Sequence, residues 1–257
     1  MPEINSLIKV QNISFSYPDA PDVPVLRCMD LDVKEKECMA ILGESGSGKS
    51  TLLKIMCGLL SPDQGTVLYD GQPLTGPTDS ITMIFQNYGL FPWKRVRDNI
   101  LLPLQLRGEK ENPQEIDELL DYLGLTRHAD KYPGELSGGQ MQRVALGRAV
   151  VGRAKLILMD EPFSALDIRN REKLQAFMKK FFWDTGMTSV IVTHSIDEAL
   201  VMGNRIAVFD PDQGNIKAMI ENRGSCYAAA GTDLYYRRIR EIRHLMGLGE
   251  HNEAENS

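Results

Sequence analysis

Long apolar runs are missing from this 257-residue sequence: nothing approaches the roughly eighteen residues a helix needs to cross a bilayer. A chain that spans a membrane as a helix is thereby excluded. Met1-Pro2-Glu3-Ile4-Asn5 has neither the basic nor the apolar region of a secretory signal, so export is not expected. Excess basic charge is missing too, since 29 Lys and Arg stand against 35 Asp and Glu, a net charge of −6. That balance offers no broad positive field to a phosphate backbone and argues against nucleic-acid binding, leaving room only for a local basic cluster. Cysteine is scarce, and Cys28, Cys38, Cys57 and Cys226 fall at irregular spacings without a metal-type pair. They are expected as buried, reduced thiols of a cytosolic protein. What is present is an ordinary 42% hydrophobic content, in a chain long enough for one large domain or two small ones.

Five short apolar runs read as strands buried on both faces: Met39–Leu42, Ile81–Phe85, Leu156–Met159, Ser189–Val192 and Arg205–Phe209. Continuous rather than alternating hydrophobicity is what a helix-covered parallel sheet requires, and helical segments between most of the runs favour an α/β fold. Ile8–Tyr17 and Val67–Leu74 alternate instead, and the Asp70-Gly71 pair in the second suits a tight hairpin turn. These predict an antiparallel sheet beside the parallel one. Residues of about 95 to 150 read as an inserted helical subdomain. Within it Asn112 supplies a cap and Pro113 a first helical residue, and Leu119, Leu120 and Leu123 form an apolar stripe ending at Gly124.

The strongest chemical signal is Gly43-Glu44-Ser45-Gly46-Ser47-Gly48-Lys49-Ser50-Thr51, a G-x-x-x-x-G-K-[ST] phosphate loop between an apolar run and a helical stretch. Its glycines let successive N–H groups face inward around phosphate oxygens, and the helix that follows adds about half a positive charge at its N-terminus. Lys49 can reach the β- and γ-phosphates, and the Ser50 hydroxyl can sit on Mg²⁺. The chain is expected to bind a nucleoside triphosphate. Leu156–Met159 then delivers Asp160 and Glu161 to a strand end, where ligands of open α/β sheets bind. Asp160 suits the Mg²⁺ side and Glu161 the polarising of an attacking water.

Leu136-Ser137-Gly138-Gly139-Gln140 is the sharper element. Ser137 and Gln140 make a capping box, yet two glycines at the first helical positions cost about 1 kcal/mol each relative to alanine. Bare backbone at a helix start makes sense where an anion approaches closely. Two anion-binding helix starts with one set of carboxylates suggest a nucleotide held between two copies of the chain.

With these motifs in this order, the chain resembles an ATP-binding-cassette (ABC) ATPase over roughly residues 6 to 222. The resemblance implies an α/β P-loop NTPase with a mostly parallel core sheet, an antiparallel β subdomain and a helical subdomain of about 87–150, all within a domain of residues 1–222, followed by a tail, 223–257. It implies that Leu136–Gln140 is the signature motif and Glu161 the catalytic glutamate. Ser164-Ala165-Leu166-Asp167 resembles the D-loop, which brings Asp167 to the nucleotide. His194 resembles the switch histidine of the γ-phosphate, Gln86 the Q-loop glutamine linking Mg²⁺ and water to the transport partner, and Tyr17 the aromatic that stacks on adenine. Each site would combine Lys49, Ser50, Gln86, Asp160, Glu161 and His194 of one copy with Ser137 and Gly139 of the other.

Fewer than about a hundred residues separate loop and signature, with no sustained heptads, which disfavours the coiled-coil repair and chromosome ATPases. One cassette disfavours the translation-factor branch. The segment Phe91-Pro92-Trp93 resembles ATPases of the nitrate/sulfonate/taurine importer group, and Lys131–Glu135 resembles the importer form. In the family this region receives a membrane subunit, and large aromatics suit an interface. The resemblance thus implies a peripheral ATPase at the cytoplasmic face of the membrane, using ATP and Mg²⁺. It would dimerise with ATP, dock permease subunits near Gln86–Val96, and serve an extracytoplasmic substrate-binding protein indirectly. The alternatives are a non-transport ABC ATPase of cofactor assembly or another ABC transporter subclass. Gly147 stands where the family commonly has alanine, which predicts close packing, and Ser195 where aspartate is frequent. In the tail, Tyr235, Ile239, Ile242 and Met246 share a helical face opposite arginines, and the polar stretch Glu250–Ser257 is expected to be disordered.

Overall fold

The computed structural model describes residues 6–164, 166–222 and 232–248. The chain builds two units, residues 1–77 with 188–257, and residues 78–187. The first begins with β1 (Ser6–Ser16), β2 (Pro24–Lys34), β3 (Cys38–Leu42), α1 (Lys49–Met56), β4 (Gln64–Tyr69) and β5 (Gln72–Pro73). The second holds β6 (Ile81–Ile84), α2 (Val96–Arg107), α3 (Pro113–Tyr122), α4 (Gly138–Val151), β7 (Leu156–Asp160) and α5 (Ile168–Thr185), with 3-10 turns at Thr126–His128 and Pro133–Glu135. The chain then completes the first with β8 (Thr188–Thr193), α6 (Ile196–Met202), β9 (Arg205–Asp210), β10 (Asn215–Glu221) and α7 (Asp233–Leu245).

All five apolar runs are strands. In the first unit β3 lies between β8 and β9, parallel to both, and every residue of β3 and β8 is buried. Two buried faces leave no room for polar alternation. Antiparallel β10 extends this sheet beyond β9. The second sheet of the unit has the order β2-β1-β4-β5 and is antiparallel throughout. Its β4–β5 turn is Asp70-Gly71, with φ of 49° and 74°, the two positive values such a hairpin demands. Strands β2 and β10 are additions to the sequence reading. Cys28, at φ 46°, breaks the alternation of β2, and β10 buries only Ile220. Cys38 and Cys57 are buried as expected, but Cys28 is exposed on that irregular strand, which corrects the expectation for this thiol. Cys226 lies outside the described residues, as do 223–231 and 249–257 of the tail.

In the second unit β6 and β7 pair in parallel. Asn112 caps α3 by accepting from the Gln114 N–H, and Pro113 opens the helix, as the sequence predicts. The buried stripe is Ile116, Leu120 and Leu123, however; Leu119 is only half-buried, because a 3.6-residue period places Ile116 over Leu120. Gly147 is closely packed: a Cβ there would come 2.6 Å from Leu123 Cδ1. Helix α7 docks in the first unit, with Ile242 fully buried and Tyr235, Ile239 and Met246 packed against a cluster that includes Leu42, Leu200 and Ile206.

An ion network centred on the buried pair Arg205 and Glu37, with the more exposed Asp32 and Glu221, joins the elements of the first unit. Arg205, at the start of β9, lies 3.1 Å from Asp32, 3.1 Å from Glu37 and 3.5 Å from Glu221. Burial pushes the Glu37 carboxyl up, against the Lys34 N–H and Arg205, which pull it down. Burial also works to lower the Arg205 guanidinium, but hydrogen bonds and charge from Asp32 and Glu37 carry it up. Removing one partner of such a pair strands the other in low dielectric. Arg205→Leu is expected to lower stability by about 3 kcal/mol at neutral pH, read as the urea midpoint. With its folded pKa raised further, Glu37 opposes folding as it ionises, so the deficit should narrow as pH falls from about 8 to about 5. A deficit independent of pH would count against this account.

Candidate functional site

In the first unit the phosphate loop leaves the C-terminal end of β3, and Gly48, at φ 107°, turns the chain into α1. A Cβ on Gly48 would meet Val25 Cγ1 at 2.8 Å, so packing forbids a side chain there. Gly46 differs: nothing lies within 4 Å of the position a Cβ would take, and its φ is 78°. The loop backbone at Gly46 is thus open to an approaching oxygen. Lys49 is buried, and its ammonium donates to the Glu44 carbonyl and to Ser47 Oγ, the latter at 3.2 Å. The cation is thereby held over the concave side of its own loop. The Tyr17 hydroxyl and Thr51 Oγ1 share a hydrogen bond of 2.9 Å, and the Tyr17 ring meets Phe15 edge-on at 5.0 Å. The aromatic is therefore fixed to the first turn of α1.

His194 follows β8, whose register sets Thr193 opposite Leu42, and the Gly43 N–H donates to the Thr193 carbonyl at 3.2 Å. The exposed imidazole and the loop leave the same sheet edge from adjacent strands. Its neighbours are fixed: the Ser195 N–H donates to Thr193 Oγ1, which donates to the buried Glu198 carboxylate, while Ser195 Oγ accepts from the Glu198 N–H. Ser195 thus caps α6 as an aspartate would.

The second unit presents its own edge. Asp160 ends β7 and Glu161 follows at φ 47°, a left-handed conformation uncommon for this residue and typical of constrained functional turns. The turn is closed by Ser164, whose N–H and Oγ both donate to the Glu161 carbonyl, at 3.2 and 3.0 Å. Gln86 Nε2 donates to Ser164 Oγ at 3.2 Å, a link the sequence does not reveal. Asp167 caps α5, accepting from the Asn170 N–H and side-chain amide, and these bonds hold its carboxyl below the usual range. Ala165 of the same segment lies outside the described residues.

The capping box at α4 is formed: Ser137 Oγ accepts from the Gln140 N–H at 3.4 Å, and Gln140 Oε1 from the Ser137 N–H at 2.9 Å. The two glycines serve different ends. A Cβ on Gly138 would come within 2.9 Å of Leu166 and of the Tyr88 hydroxyl, whereas one on Gly139 would meet nothing within 4 Å. Packing explains the first, while the backbone at Gly139 is left open to an approaching group. The Gln86 segment is tied to the same helix, because Arg148 of α4 donates to the Gly89 carbonyl at 2.7 Å and to that of Tyr88 at 3.2 Å. Beyond it the Phe91 and Trp93 rings stack edge-on at 5.3 Å, with Trp93 71% exposed rather than filling a core. A groove of about 280 Å³ in this unit is lined by Thr82, Leu102, Pro103, Leu106 and Arg148.

The groups each unit presents suit ATP and Mg²⁺: in the first an ammonium and bare amides for phosphate with the Ser50 hydroxyl as a hard oxygen, in the second the hard oxygens of Gln86 and Asp160. Among the described residues no helix is long and apolar enough to cross a membrane, and no cluster of three His, Cys, Asp or Glu forms a site for a metal held by protein alone.

Comparison with known proteins gives the following. The ABC transporter family pattern matches residues 26–164. The taurine import ATP-binding protein of Ruegeria pomeroyi is 41% identical over 213 residues, covering 81% of this chain and 80% of that protein. The nitrate import ATP-binding protein of Synechococcus elongatus is 40% identical over 198 residues, 76% of this chain and 30% of that longer protein. A solved ATP-binding cassette, dimeric and bound to ADP and Pi after hydrolysis, superposes with a TM-score of 0.73 at 33% identity, over 84% of this chain and 99% of that one.

The open surround of Gly139 makes a separable prediction. Gly139→Ala should leave stability unchanged or raise it by up to about 1 kcal/mol, as alanine favours a helix. ATP turnover should nevertheless fall at least about tenfold, because a methyl group would hold the nucleotide off the backbone. Thermal melting and phosphate release measured on one preparation check both halves.

Proposed function

Because the chain belongs to the ABC transporter family of ATP-binding proteins, we propose, on that premise, that it is the ATP-hydrolysing subunit of an importer, working as a dimer closed around two Mg·ATP. The observation that carries the reading is the pair of open helix starts, α1 after the phosphate loop and α4 after Ser137, against a single set of strand-end carboxylates.

Roles follow from the chemistry of each group. The loop amides and Lys49 neutralise the β- and γ-phosphates, and Tyr17 stacks on the adenine, a contact worth about 1–3 kcal/mol. Ser50 and Asp160, with Gln86, would supply hard oxygens to Mg²⁺, which when bound would offset the charge that develops on the phosphates. Glu161 accepts a proton from the attacking water and orients it, and His194 donates to the γ-phosphate. From the second copy, Ser137 Oγ and the Gly139 N–H meet the same phosphate, with Asp167 on the adjoining segment. Hydrolysis then dissolves the contact that joins the two copies, and the dimer reopens.

Coupling to transport is assigned to the second unit. The exposed Trp93 and the hydrogen bonds from Arg148 to Tyr88 and Gly89 support a permease subunit docking at Gln86–Val96, with its motion passed to α4. Such docking would set the protein peripherally at the cytoplasmic face of a membrane, with an extracytoplasmic binding protein acting upstream. The relatives named for taurine and nitrate import support a small solute bearing an oxyanion group as cargo.

Glu161→Gln removes the base and keeps the shape. The variant should still dimerise with Mg·ATP while its turnover falls by about a hundredfold or more, read by size-exclusion chromatography and phosphate release. Undiminished turnover would remove Glu161 from the role given to it.

A further inference from the structure

Next to the signature segment, the turn Thr126–His128 meets α4 through one hydrogen bond whose direction is forced. Gln140 Oε1 already accepts from the Ser137 N–H at 2.9 Å. The opposite amide orientation would set two donors face to face there, so the Gln140 Nε2 amine must point away and can only donate. It faces His128 Nε2 at 3.1 Å. An amine requires an acceptor opposite it, and the network therefore assigns the His128 proton to Nδ1. That Nδ1 is buried and has no hydrogen-bond partner among the described residues. Leaving a buried N–H unpaired is costly, and a purely apolar side chain would avoid the cost if packing alone were at stake.

The base from which His128 reaches is rigid. Its N–H donates to the Leu125 carbonyl at 2.8 Å, its carbonyl accepts from the Lys131 N–H at 3.0 Å, and Leu125 is fully buried. The first turn of α2 is bound to the same stretch, with the Val96 N–H on the Lys131 carbonyl and the Arg97 N–H on that of Ala129. The chain of contacts thus runs from a fixed turn through His128 Nε2 and the Gln140 amide to the backbone of Ser137. Within α4 the Ser137 carbonyl accepts from the Met141 N–H at 2.9 Å, so His128 adds to that helical bond an anchor from outside the helix, acting on the Ser137 N–H through Gln140.

We propose that His128 is a positioning residue of the ATPase: by holding the Gln140 amide it fixes the Ser137 backbone, and so the direction in which Ser137 Oγ and the Gly139 N–H meet the nucleotide of a second copy. The inference deepens the sandwich reading of the signature segment and rests on it.

The test uses the full-length chain. His128→Phe keeps a ring and removes the acceptor; His128→Gln restores an amide oxygen near the place of Nε2. The first readout is hydrogen–deuterium exchange of peptides covering Leu136–Gln140. The second is the Mg·ATP concentration that gives half-maximal dimer in the Glu161→Gln background. His128→Phe should speed exchange at the Ser137 amide and raise the half-maximal Mg·ATP, each by about tenfold, the scale of one lost hydrogen bond. His128→Gln should return both to within about threefold, with unliganded melting temperatures of all three proteins within about 2 °C. Unchanged exchange in His128→Phe, faster exchange without a change in dimerisation, or equal impairment of the phenylalanine and glutamine variants would each overturn the proposal. A Glu161→Gln parent that fails to dimerise with Mg·ATP would sink the sandwich reading, and with it His128's effect on the nucleotide. The exchange comparison would still decide separately whether His128 holds Gln140.

Discussion

Parallel pairing of β3 with β8 is the constraint from which the first unit's chemistry follows. Two parallel strands end on the same edge, so Leu42 opposite Thr193 delivers the lysine loop and His194 side by side, though they are distant in sequence. The same rule acts in the second unit, where Ile84 opposite Met159 brings Gln86 to the edge at which Asp160 and Glu161 emerge. Neither arrangement depends on the identity of the reactive residues. The apolar runs fix the register, and the register sets where the polar groups stand.

The proposed anion recognition relies on backbone more than on side chains. Gly46 and Gly139 have open surrounds, while Gly48 and Gly138 are crowded by Val25 and by Tyr88 with Leu166. In each motif, then, one glycine is dictated by packing and another leaves the backbone open to an approaching group. The cost of glycine in a first helical turn is offset at α4 by the reciprocal Ser137–Gln140 bonds, which keep the segment ordered without covering its N–H groups. The ATP-binding assignment from family membership and this local geometry agree.

The fold was legible where one physical signal acts alone. Continuous apolar runs gave β3, β6, β7, β8 and β9, the Asp70-Gly71 pair gave its hairpin, and the spacing of Tyr235, Ile239, Ile242 and Met246 gave the docked α7. It was illegible where signals interfere. The bulge at Cys28 scrambles the alternation of β2, and β10 is an edge strand with little to bury. Long-range polar contacts leave no local mark: Arg205 and Asp32 are separated by 173 positions, and Gln86 and Ser164 by 78. The candidate site residues rest on motif and order in the sequence. Their supports, among them Glu198 and His128, carry no pattern of their own and emerge only with coordinates, as does the bond from Gln86 to Ser164.

The insertion of residues 78–187 between the two halves of the first unit bears on how the protein is made. Strand β3 is apolar along its whole length, and both strands that flank it come after that insertion. During synthesis the segment Cys38–Leu42 therefore waits, unpaired, while the entire second unit emerges. Long-separation pairing of this kind slows folding and leaves a sticky strand available to other nascent chains. Chains halted before Thr188 should thus be prone to aggregation.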